Sequence, residues 1–212
     1  MDFFSELKFK EVAKEIATVG PVLYRRGLAP ASGGSFSMRI NETAYGITQA
    51  GRDKEKLKEQ DVVAVDFDGK PLTKGRPAPE AVLHTLLYRR FGETGAILDI
   101  HSHNSTVLSR MLKGQSQLIL KDYEMLKTFR GVSAHDTELI VPIFENARDV
   151  KALSENVENY LETPGVRCHG FLIRGHGLYV WGTTMADALR YLDAFEFLSG
   201  CEITLHRPVP SS

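Results

Sequence analysis

The sequence lacks most of what would tie a chain to the cell exterior or to a membrane. Cysteine occurs only at Cys168 and Cys201 among 212 residues, too few for a disulfide framework, so a reducing compartment, the cytoplasm, is the expectation. No apolar run approaches the ~20 residues of a bilayer span. The stretch Met1–Lys8 mixes charged and apolar residues instead of forming a secretory leader. Charge of one sign is also missing: 26 Lys and Arg against 27 Asp and Glu leave a net charge of -1. No global field therefore draws the chain to nucleic acid or to an anionic surface, and neither is expected as a partner. Repeats, low-complexity stretches and Pro/Gly linkers are absent, so residues 1–212 are expected to form one domain.

What is present reads as an α/β (α+β) chain. Val12, Ile16, Val19 and Leu23 recur at helical spacing, and a helix over 5–27 should end at Gly27. A small-residue loop, Pro30–Ser35, leads into strand-like runs at 35–40, 44–48 and 62–67, with Asp68-Gly69 as a hairpin turn. Pro79–Phe91 reads as a helix with Pro79 in its first position and Val82, Leu83, Leu86 and Leu87 turned inward. An apolar strand over 95–101 follows, then a helix over 106–112 capped by Ser105. Further helices are expected at 121–129, 149–161 and 185–205. Phe171–Ile173 and Leu178–Trp181 flank Arg174-Gly-His-Gly177, a hairpin with a histidine at its tip. Early strands with later helices interleaved predict a mixed, mainly antiparallel sheet covered by helices.

The residues able to do chemistry cluster in four places. Asp99, His101 and His103 alternate where an apolar strand runs out; on extended backbone they would share a face. Carboxylate and imidazole are both ligands for zinc and similar ions. One strand end supplies two ligands comfortably, so a third is expected from a distant loop, and glycine-flanked His176 suits that part. His84, His135, His169 and His206 have no such setting and read as structural or surface residues. Glu80, opening a helix, and Glu124, in a polar stretch, are carboxylates with ordinary explanations as a first-turn acid and a solvated face. Ser32, Gly33 and Gly34, with Gly51 and Lys54, combine backbone N–H groups and positive charge in a way that can cradle a phosphate, without the spacing of a nucleotide P-loop.

Taken together, these pieces resemble the class II aldolase/adducin family over nearly the whole chain. The likeness is carried by Ile47–Lys54, Glu80–Tyr88, Gly95–Leu98, Asn104–Arg110, Tyr123-Glu124, Val141–Asn146 and, most specifically, Leu172–Gly182. The resemblance implies a class II aldolase-like fold, one Zn2+ or another divalent ion per subunit, a small sugar-phosphate substrate, and a homotetramer with the active site at a subunit interface. His176 matches the family's distant ligand. The family's His-Thr-His-Ser falls on Asp99-Ile-His101-Ser102, so His101 matches one ligand, Asp99 stands in place of another, and His103 is extra. Either Asp99 or His103 would complete the set, or the metal is weakened or lost. Glu124 matches the acid/base of the family's dehydratase branch, which the chain resembles more closely, and Glu80 that of the aldolase branch. The phosphate would rest on Ser32, Gly33, Gly34, Gly51 and Lys54, although relatives carry Ser-Gly-Asn where this chain has Ser32-Gly-Gly34. The implied reaction is metal-dependent dehydration of 5-methylthioribulose 1-phosphate. An aldolase, an epimerase and a non-catalytic adducin-like module are the alternatives.

Overall fold

The structure is a computed structural model, and it describes residues 4–132, 138–165 and 168–206. His135 lies outside these. Eight strands and five α-helices alternate along the described residues: α1 (Glu6–Arg25), β1 (Ser35–Asn41), β2 (Ala44–Thr48), β3 (Val62–Asp66), α2 (Ala81–Arg90), β4 (Ala96–Ile100), α3 (His103–Met111), β5 (Gln117–Leu120), β6 (Leu139–Phe144), α4 (Val150–Leu161), β7 (Gly170–Ile173), β8 (Gly177–Gly182) and α5 (Met185–Leu205). The strands form one sheet in the order β3-β2-β1-β4-β8-β7-β6-β5. Every neighbouring pair is antiparallel except β6 and β7, which are parallel and joined through α4. This is the mixed, mainly antiparallel sheet that the patterning predicts.

Period-two alternation divides the sheet between two cores. Ala96, Leu98 and Ile100 of β4, with Leu178 and Val180 of β8, pack under α1, α3 and α5. Ile97, Tyr179 and Trp181 face the other way, toward α2 and α4. Both faces are thus covered, which is why β2, β4 and β8 are buried at every position rather than at alternate ones. Helix α1 begins where Ser5 accepts from the Lys8 backbone N–H, and it buries Val12, Ala13, Ile16, Val19 and Leu23. Gly27 takes a left-handed φ of 72° just past its end. No helix of the described residues is long and apolar enough to cross a membrane.

The sequence reading departs from the structure in four places. Helix α3 starts at His103, not Thr106, because Ser102 rather than Ser105 supplies the cap, accepting from the Ser105 N–H. Pro79 precedes α2, whose N-cap is Glu80, and Val82 on that helix's open side is 36% exposed while Leu83, Leu86 and Leu87 are buried. The stretch 121–129 holds only a 3-10 turn, Glu124–Thr128. Strands β5 and β6 have no counterpart in the sequence reading.

Candidate metal centre

The chemistry gathers where β4 ends. Ser35 on β1 stands directly across from Asp99 on β4, and Tyr179 on β8 stands across from Asp99 on its other side. Beyond β4 the chain turns away, and the β7–β8 hairpin brings His176 over the strand end; its backbone N–H donates to the Ile173 carbonyl. His176 Nε2 lies 3.1 Å from Asp99 Oδ1 and 2.8 Å from His101 Nε2. His101 Nε2 lies 3.6 Å from the same Asp99 oxygen. Three donors around an ion with bonds of ~2.0–2.1 Å in a tetrahedron are about 3.3 Å apart, so these separations suit one cation.

Two further observations fit a metal. Two imidazole nitrogens and a carboxylate oxygen facing one another cannot all be satisfied among themselves, because each neutral ring brings a single N–H. The His101 ring is also held the right way round. A Cβ on Gly33 would come within 2.5 Å of His101 Nδ1, so this glycine packs against that nitrogen and leaves Nε2 toward the cluster. Gly34 has φ 80°, and a Cβ there would meet the Asp99 carbonyl oxygen at 2.4 Å. Both glycines are therefore spacers that let the loop close on the ligand strand, whatever else their N–H groups bind. Asp99, His101 and His176 are the one such donor group among the described residues.

The three groups act on one another electrostatically. Burial works to raise the Asp99 carboxyl pKa, but the hydrogen bond and charge of His176, with His101 and His84 nearby, outweigh it and hold the group below its ordinary value. Burial lowers the His101 pKa, helped by His176 and opposed by Asp99. For His176 burial also lowers it, yet Asp99 and Glu80 together raise it above the ordinary value.

His103 does not join them. The alternation stops at Ile100 because Ser102 begins a helix, and His103 points into solvent from its first turn. Between the two candidates for the third ligand, the geometry favours Asp99. Glu80 sits close enough for its charge to act on His176; burial, with Asp99 adding to it, raises its carboxyl pKa, against its own backbone hydrogen bond and the pull of His176 and Lys54. Lys54 is buried, and its Nζ donates to the Ser32 carbonyl at 3.0 Å and the Arg52 carbonyl at 3.1 Å. The fold thus joins the Ser32–Gly34 loop to the Gly51–Lys54 loop beside the donor cluster. Burial lowers the Lys54 pKa, opposed by the charges of Asp99, Glu80 and Asp53. Gly51 is open, with φ 68° and nothing within 4 Å of an added Cβ. Glu124 stands apart on the exposed side of its 3-10 turn, where it pairs with Lys127 at 2.8 Å.

Sequence reasoning took Ser35 only as the end of the small-residue loop and set His84 aside as a structural or surface residue. His84 is fully buried between two serines, with Nε2 2.9 Å from Ser35 Oγ and Nδ1 2.7 Å from Ser37 Oγ. Burial pushes its pKa down from 6.5 to about 4, against the charge of Asp99. The unfolded chain therefore takes up this proton near pH 6.5 and the folded chain only near pH 4, so the folded state loses stability as pH falls through that window. Between pH 7 and pH 5 the loss from this group is on the order of 2 kcal/mol. Urea unfolding of metal-free protein is expected to show that much more acid sensitivity in the wild type than in His84→Gln; equal slopes would refute it.

The comparisons with known proteins place the chain. The profile of the class II aldolase and adducin N-terminal domain matches residues 14–203. A methylthioribulose-1-phosphate dehydratase of Hahella chejuensis is 41% identical over 201 residues, covering 94% of this chain and 96% of the relative. One of Xylella fastidiosa is 47% identical over 180 residues, covering 84% and 82%. Among solved structures, Escherichia coli YgbL superposes with a TM-score of 0.80 at 22% identity over 95% of this chain and 93% of that one. The L-fuculose-1-phosphate aldolase of Thermus thermophilus gives 0.69 at 22% identity over 94% and 95%. With a profile match across most of its length and relatives above 40% identity, the chain belongs to the class II aldolase/adducin family.

Proposed function

We propose that the chain is a methylthioribulose-1-phosphate dehydratase, removing water across C3 and C4 of 5-methylthioribulose 1-phosphate to give 5-methylthio-2,3-dioxopentyl 1-phosphate, a step of methionine salvage in the cytoplasm. The observation that carries this reading is the convergence of Asp99, His101 and His176, in a chain more than 40% identical to relatives of that name. The three side chains would hold one Zn2+. Such an ion supplies Lewis acidity beside the substrate's C2 carbonyl and C3 oxygen.

The chain's own residues do the rest. Lys54, with the N–H groups of Ser32, Gly34 and Gly51, anchors the phosphate and so fixes which carbons lie under the donors, while the Gly33 N–H is given to the Pro30 carbonyl at 2.8 Å and shapes the loop instead. Its buried ammonium already commits two hydrogens to backbone carbonyls, which holds the third in a set direction. Glu124 takes the C3 proton and returns it to the departing C4 hydroxyl. We place this group across a subunit interface of a homotetramer, a reading supported by its exposed turn, which lies outside its own chain's donor cluster. His103 has no part in it.

Glu124→Gln is expected to keep wild-type metal content and lower dehydration about 10²–10⁴-fold, the usual worth of a general acid/base. Elemental analysis and an assay on 5-methylthioribulose 1-phosphate check both halves, and unchanged turnover removes Glu124 from the mechanism. One observation favours a second reading. Glu80 is a carboxylate whose charge, like that of Asp99, acts on His176, which suits a sugar-phosphate aldolase with Glu80 as its base. Cleavage of L-fuculose 1-phosphate, lost in Glu80→Gln but kept in Glu124→Gln, would establish that reading instead.

A further inference from the structure

Asp99 has two oxygens, and only Oδ1 faces the imidazoles. The other, Oδ2, accepts from Ser35 Oγ at 3.1 Å. From there a line of side chains continues inward: Ser35 to His84 Nε2 at 2.9 Å, His84 Nδ1 to Ser37 Oγ at 2.7 Å, and Ser37 to the Tyr88 hydroxyl at 2.8 Å. Ser35, Ser37 and His84 have no exposed surface, and Asp99 and Tyr88 are 1% exposed. Five polar side chains in a row inside an apolar core are costly unless each is satisfied.

Proton counting fixes the direction of the line. An ionised carboxylate only accepts, so Ser35 gives its one hydrogen to Oδ2. His84 must then donate to Ser35 from Nε2, which leaves Nδ1 as an acceptor. Ser37 donates to that nitrogen, and Tyr88 donates to Ser37. Each member holds its neighbour in one orientation, and the line ends on the ligand. The backbone places them for this: Ser35 and Ser37 alternate onto one face of β1, while His84 and Tyr88 are four apart on α2 above it. Ser35 also sits directly across from Asp99 in the strand register.

We propose that Ser35 and His84 are positioning residues that occupy Oδ2 and so hold Asp99 as a ligand through Oδ1 alone. A carboxylate with both oxygens free can take an ion through either or both. An imidazole has no such choice, so a site that sets Asp99 beside two imidazoles needs something to restrict the carboxylate. The inference rests on the metal reading of the cluster.

Four variants test it by metal titration against a chelating dye and by the visible spectrum of the Co2+-loaded protein. Ser35→Ala should bind Zn2+ about 10–100-fold more weakly. Its Co2+ bands should weaken severalfold, as the freed oxygen adds a ligand and the site leaves tetrahedral geometry. Ser37→Ala, an equal deletion on the same strand, should stay within about threefold of wild type because Ser35 keeps its donor. His84→Gln keeps an N–H for Ser35 and should bind near wild type, whereas His84→Asn loses it and should match Ser35→Ala. This pair decides if Ser35→Ala does not fold. Ser35→Ala with wild-type affinity and spectrum overturns the proposal, as does equal weakening in both serine variants or in both histidine variants. A wild type that binds no metal overturns the metal reading first and this inference with it.

Discussion

Asp99→Asn is expected to purify without metal and to dehydrate substrate about 10³-fold more slowly or worse, with its fold intact. The asparagine keeps the shape of the side chain, so its carbonyl oxygen can still accept from Ser35 and the buried space stays filled. What it loses is the negative charge that the two imidazoles face at 3.1 and 3.6 Å. A neutral amide is a poor ligand, and two histidines alone make a weak site. Metal-assisted stabilisation of a carbanion-like barrier is worth several kcal/mol, and about 4 kcal/mol is a thousandfold in rate. Elemental analysis, circular dichroism and the dehydration assay read the three parts separately. Full metal content in the variant would remove Asp99 from the ligand set.

Gly177→Ala should have the largest effect on the fold itself. A Cβ there would sit 1.9 Å from the Ile100 carbonyl oxygen and 3.1 Å from His101 Cα. Those are backbone atoms of the ligand strand, so no rotamer relieves the clash. The hairpin must lift, carrying His176 away from Asp99, or the β4–β8 pairing must break. We expect a loss above about 4 kcal/mol, seen as insoluble protein or a collapsed urea midpoint. Gly51→Ala is the contrast: its φ of 68° is strained for alanine, but nothing lies near. It should cost only about 1 kcal/mol. Equal midpoints for the two variants would show that the hairpin has room the structure does not reveal.

These contrasts mark what was legible in the sequence. The helices announced themselves by period and by caps, and α5 falls where expected at 185–205. His101 and His176 stood out through the motifs that resemble the family, since a strand-end or glycine-flanked histidine taken alone reads as a structural or turn residue. His103 misleads because alternation holds only while the chain is extended, and one serine cap ends it. Strand β6 hides behind Pro142, which cannot donate to a ladder. Strand β5, with alternately exposed residues, is too short to announce itself. The roles of Ser35 and His84 depend on which strand and helix lie beside Asp99. That is a fact of register, and no local pattern encodes it.

One consequence concerns the order of events in biosynthesis. Asp99 and His176 are separated by 77 positions, and they meet only because β8 docks against β4. Closing so long a loop costs a disordered chain roughly 4 kcal/mol of conformational entropy, a cost the paired sheet has already met. In a nascent polypeptide the three donors are therefore not held together until β8 has been made and paired with β4. A chain that stalls before residue 176 lacks one of the three converging donors.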